Sequence, residues 1–88
     1  QIAEEFPEKV KPYVTDLASF LDDEDKYIRV NATRALALIA EEFPEKVKPF
    51  TSDLESLQDD QNFSVQADAT LALAKIAEEF PEIVKGKE

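Results

Sequence analysis

The sequence predicts an all-α fold: an α-solenoid of antiparallel helix pairs, with two units of 37 residues and partial units flanking them. Three observations carry this. The block IAEEFPEKVKP at residues 2–12 recurs unchanged at 39–49 and as IAEEFPEIVKG at 76–86, a constant period of 37. Within each period the apolar residues step by three or four, as an amphipathic helix requires. The chain of 88 residues holds only one Gly, so sharp left-handed turns are scarce and the connections should be tight. One short helix pair cannot bury its apolar face alone, whereas stacked pairs share a continuous core.

In chain order, the first unit spans about 2–38, the second about 39–75, and a partial third runs over 76–88, all within a single segment 1–88. Each unit supplies a shorter helix A and a longer helix B. The first A carries Val10, Tyr13, Leu17, Phe20 and Leu21, and the second carries Val47, Phe50, Leu54 and Leu57. The first B carries Ile28, Ala32, Ala35, Leu36, Ile39, Ala40 and Phe43. Its counterpart is Val65, Ala69, Ala72, Leu73, Ile76, Ala77 and Phe80. Asp25 and Asn62 precede the B helices, where a short acceptor side chain can bind an orphan amide. Pro44 and Pro81 should stop each B helix at the residue before them. Pro12 and Pro49 either sit in the first turn of an A helix or kink a longer helix that starts near Pro7 or Pro44.

Composition narrows the function classes. Asp and Glu total 20 against 10 Lys and Arg, a net charge of −10, which opposes binding to nucleic acid or an anionic membrane. With no Cys and no His, there is no disulfide, no thiol nucleophile and no imidazole base or ligand. No apolar run reaches the length of a membrane span. The cytoplasm is the expected compartment. A chain that opens on Gln1 and lacks Met reads as a segment of something longer.

The stretch Phe20-Leu21-Asp22-Asp23-Glu24-Asp25-Lys26-Tyr27-Ile28-Arg29, followed by Ala32 and Ala35-Leu36, resembles the HEAT-repeat pattern. That pattern runs from an apolar helix end through an Asp turn to a Val/Ile-Arg pair and an Ala/Leu helix. Pro12 and Pro49 resemble its kink proline, and the Trp, Gly and Tyr of the tetratricopeptide pattern are missing. The resemblance implies a hydrogen-bonded ladder between units, with Asp23 and Arg29 in the first and Asp60 in the second. Gln66 stands where the second unit would have its Arg.

Four candidate sites follow. The first is the side of the B helices opposite their apolar stripe. On a helical wheel it holds Val30, Thr33, Arg34, Ala37 and Glu41, with Leu38 at one edge. The second unit offers Ala67, Thr70, Leu71, Ala74 and Glu78. This semi-apolar row (Val30, Thr33, Arg34, Ala37, Leu38, Ala67, Thr70, Leu71, Ala74) suits a protein or peptide partner. The second is the run Asp22–Asp25, read as a charged cap of helix B rather than a calcium loop, since the turn Gly and distant Glu of such a loop are missing. The third is the pairs Glu41-Glu42 and Glu78-Glu79, adjacent carboxylates without the cleft that glycosidase chemistry needs. The fourth is the sequons at Asn31 and Asn62, which fall inside a helix and at a cap.

The expected function is a non-catalytic protein-interaction scaffold that takes a protein or peptide on the B-helix face and needs no metal or cofactor. Two other readings stay open. One is a HEAT-like module of a lyase-type enzyme, although no residue for the chemistry is visible. The other is a self-assembling or engineered repeat. Without dedicated caps, Ile2, Phe6 and Val10 at one end, and Phe63, Ile76, Phe80, Ile83 and Val84 at the other, should keep apolar surface and favour head-to-tail association.

Overall fold

A computed structural model describes residues 13–85 of the chain. These are all-helical, with no strand among them. Helix α1 is seen over 13–18, followed by α2 (Lys26–Glu42), α3 (Pro44–Val47), a 3₁₀ turn (Lys48–Phe50), α4 (Thr51–Leu57), α5 (Phe63–Glu79) and α6 (Glu82–Lys85). The expectations on Ile2, Phe6, Pro7, Val10 and Pro12 fall outside the described residues.

Helices α2 and α5 are each 17 residues long and lie one period apart. The same local chemistry bounds both. The Asp25 carboxylate accepts the Tyr27 amide at 2.8 Å, and Asn62 Oδ1 accepts the amides of Ser64 at 2.9 Å and Val65 at 3.2 Å. Both caps have extended backbone, as an N-cap requires. At the other end Phe43 and Phe80 leave the helical region before Pro44 and Pro81, and their amides still donate to Ile39 and Ile76. No described residue has positive φ. The expected result for Asn62→Ala is a loss of about 1 kcal/mol in a urea titration.

Proline also settles the second A limb. It begins at Pro44, not after Pro49, and Pro49 breaks it into α3 and α4 with a 3₁₀ turn between. Proline has no amide to continue the ladder, and its ring crowds the preceding turn. Thr51 Oγ1 donates to the Lys48 carbonyl at 2.6 Å as the helix restarts. This limb returns the chain from the carboxyl end of α2 to the amino end of α5, so α2 and α5 run parallel. Arg29 and Arg34 of α2 meet Asp60 and Asp68 in the same order along the second unit.

The core is formed by Val14 and Leu21, by Ala32, Leu36, Ala37 and Ala40 of α2, by Val47, Leu54 and Leu57 of the second A limb, and by Val65, Ala69, Ala72 and Ile76 of α5. Several residues differ from the sequence expectation. Tyr13 and Phe20 are exposed, and Val14 takes the buried place beside them. Ile28 lies at the surface. Ile76, expected to keep apolar surface at the end of the chain, is fully buried. At the last corner, Lys48 Nζ lies 4.2 Å from the Phe80 ring centroid and 3.3 Å from a Glu82 carboxylate oxygen, tying the second A limb to α6.

Candidate interaction surface

A bidentate polar contact between the two units is built at the turns before α2 and α5. Asp23 Oδ1 accepts the Asp25 amide, and Asp60 Oδ1 accepts the Asn62 amide, each at 2.8 Å, so both turns have one shape. Arg29 joins them. Its Nη1 donates to the carbonyls of Asp23 at 2.8 Å and Glu24 at 3.1 Å in its own turn. Its Nε and Nη2 donate to the two Asp60 carboxylate oxygens at 2.9 and 3.2 Å, a bidentate pair across units. Burial alone would raise the Asp60 pKa. The Arg29 hydrogen bond, the Asn62 amide and the guanidinium charge together hold it below the usual carboxylate range.

Gln66, at the position equivalent to Arg29, repeats only half of this pattern. Its side-chain amide donates to the Asp60 carbonyl of its own turn. A single carboxamide cannot also present a charged fork to a following unit. The run Asp22–Asp25 is engaged in the same turn geometry: Asp23 and Asp25 accept backbone amides. Among the described residues no group of three or more acids is placed to hold a metal ion.

The expected binding row divides into two. Arg34, Leu38, Ala67, Thr70, Leu71 and Ala74 are exposed and Val30 is half-buried. Thr33 and Ala37 are buried, at 0% and 1% exposure, which corrects their expected place on the solvent side. The cause is visible within the chain. Thr70 and Ala74 are the same residue types one period later, yet they are open. The neighbours differ: α2 has the long helix α5 packed beside it on the following side, whereas α5 is the last long helix among the described residues. The opposite flank behaves in reverse. Val65 and Ala72 of α5 are fully buried, while their counterparts Ile28 and Ala35 on α2 keep surface. A B helix therefore has two neighbour flanks, and a wheel drawn with one core side counts only the first.

What remains open on both helices is a narrower arc with Val30, Arg34 and Leu38 on α2 and Ala67 and Leu71 on α5. Leu38 is 58% and Leu71 41% exposed, large apolar side chains from consecutive units on one side. Arg34 spans the arc to Asp68 at 3.2 Å. The sequence reading did not single out Asp68. Its spacing from Arg34, one period less about one helical turn, is the signal that marks it.

A family model described as Cnd1, non-SMC mitotic condensation complex subunit 1, matches residues 3–86 of the chain. The chain belongs to that family. The match spans almost the whole sequence. The description of this condensation-subunit family names a component of a protein complex, not a reaction. No curated protein and no solved structure matches the chain. Among the described residues no helix is long and apolar enough to cross a membrane.

Proposed function

We propose that the chain is a two-unit, HEAT-like α-solenoid segment that serves as a non-catalytic interaction scaffold inside the cell, within an assembly of the condensation-complex type. One domain holds both units, about 2–38 and 39–75, with a partial third at 76–88. The partner is a protein segment, helical or extended, that lies across the open arc of the B helices. Leu38 and Leu71 provide apolar pockets or anchors from consecutive units, and Val30, Arg34 and Ala67 surround them. The single observation that supports this is the exposure of Leu38 and Leu71 on the open arc of α2 and α5. With a net charge of −10 on the scaffold, the complementary segment has apolar anchors flanked by Lys or Arg.

The test uses two substitutions and a crosslinker. Leu71→Glu should leave stability within about 0.5 kcal/mol of the parent, as expected for a surface site. A photo-reactive residue at Leu38 or Leu71 should trap a partner in cells. The same group at Ser52, exposed on the A limb, should not, and Leu71→Glu should abolish the trapping at Leu38. Equal trapping at Ser52, or none at Leu38 and Leu71, would sink the assignment of this face.

A further inference from the structure

We infer that a second copy of this chain docks head-to-tail on the first, the open flank of α5 in one copy packing on the open flank of α2 in the next. The template is the packing already inside the chain. In α2 the flank with Thr33 and Ala37 is buried by α5. In α5 the same flank, with Phe63, Gln66, Ala67, Thr70 and Ala74, lies open, and Phe63 is 85% exposed. The α5 flank that meets α2 contains Val65, Ala69, Ala72 and Ile76. Its counterpart on α2, with Leu17 and Phe20 beside Ile28, Asn31 and Ala35, forms an open hollow. The two open flanks are therefore repeats of the two surfaces that already fit each other. None of these residues is charged, in a chain with 34% charged residues.

The copied junction is weaker than the internal one, for reasons that can be named. Gln66 stands in place of Arg29, so no guanidinium reaches the Asp23 carboxylate of the next copy as Arg29 reaches Asp60. Leu71 stands in place of Arg34 and would face Asn31, the counterpart of Asp68, so the second ion pair is also lost. Gln58 replaces the buried Leu21, and its amide donates to Thr70 at 3.3 Å. The facing flanks carry no charge of their own, with Asp23 at their edge, and the force opposing the junction is repulsion between molecules of charge −10. Salt screens that repulsion over about 8 Å at physiological ionic strength, so association strengthens as salt rises. An unlike-ended contact of this kind adds copies in one direction and does not stop at two.

Sedimentation velocity on the 88-residue chain, over a range of concentrations at low and high salt, gives the first reading. The mass should climb from 9.9 kDa with concentration, more steeply at high salt. Ile28→Glu and Ala74→Glu each block one flank at a residue with open surface, and circular dichroism checks that both keep their helix. Either variant alone should stay monomeric, and an equal mixture should form a dimer and nothing longer, since one intact flank remains on each partner. Gln66→Arg should tighten association about tenfold by supplying the missing charged hydrogen bonds. Adding Asp23→Asn should cancel that gain while keeping an acceptor for the Asp25 amide. A strict monomer at every concentration and both salts overturns the proposal. So does a mixture that fails to dimerise, or a Gln66→Arg chain that binds itself no more tightly. Ala67 and Leu71 border both surfaces, so the partner face is read separately through trapping at Leu38, which none of these variants alters.

Discussion

Leu36→Ala should remove about 3–4 kcal/mol of stability, the largest loss expected from a single truncation in this molecule. Leu36 has no exposed surface and lies midway along α2, between Ala32 and Ala40 in the core. Alanine there loses the transfer free energy of the removed methyl groups and leaves a cavity that neighbouring helices cannot fill without moving. A chain of 88 residues has a total stability of about 4–13 kcal/mol, so such a loss leaves it near the edge of folding. The equivalent substitution one period later supplies the control. Leu73 is only half-buried, because the following flank of α5 is open, and Leu73→Ala should cost distinctly less. Urea titrations of both variants check this through the midpoint at unchanged slope. Equal losses would mean that burial at the two positions does not differ.

Asp60→Asn should cost about 1.5–3 kcal/mol at neutral pH, the range for hydrogen bonds to a charged group. The Asp60 side chain is 9% and that of Arg29 17% exposed, so solvent screens the pair only partly. Asn keeps an oxygen for the Asn62 amide and removes the charge, which isolates the contact with Arg29. The pH dependence has a definite sign. The folded pKa of Asp60 lies below its unfolded value of 3.8. The stabilisation is therefore present above pH 3.8 and is lost as pH falls through the lower folded value. The gap between the parent and Asp60→Asn should be full at neutral pH and close in stronger acid. Parallel urea titrations across that window measure it. A gap that widens on acidification would contradict the pairing.

Much of the fold can be read from the sequence because its signals are local. The period fixes where each element repeats, Asp25 and Asn62 cap the helices they precede, and Phe43 and Phe80 end them before proline. Pro49 left two options, and the choice of a broken limb starting at Pro44 depends on how that limb packs, which periodicity does not encode. The site was less legible. Thr33 and Thr70 are the same residue in the same helical context, as are Ala37 and Ala74. Only the presence of a neighbouring helix buries one of each pair, so no property of the residue itself separates them. Tyr13 fits the apolar spacing yet is exposed, and Val14, which that spacing passes over, enters the core. The Arg29 contact was reached through the resemblance to HEAT repeats, because its partner lies 31 residues away.

The parallel course of α2 and α5 also makes the molecule electrically lopsided. Peptide dipoles of parallel helices add, and their amino ends lie on one edge while their carboxyl ends lie on the other. On the amino edge Asp23, Asp25 and Asp60 accept backbone amides and Arg29 faces Asp60, while Asp22, Glu24 and Asp59 are exposed beside helix ends that are positive. On the carboxyl edge Glu41, Glu42, Glu78 and Glu79 are exposed beside helix ends that are already negative. Lys75, 3.9 Å from Glu78, is the one base among the described residues lining the hollow they share with Glu45. The carboxyl edge is thus the more negative of the two, and its Glu41 and Glu42 lie within about one helical turn of Leu38. Counterions should collect there as a stripe that lengthens with every unit added in the same orientation. A solenoid built from such units would have a cation-attracting spine along its length, separate from the surfaces that join its units.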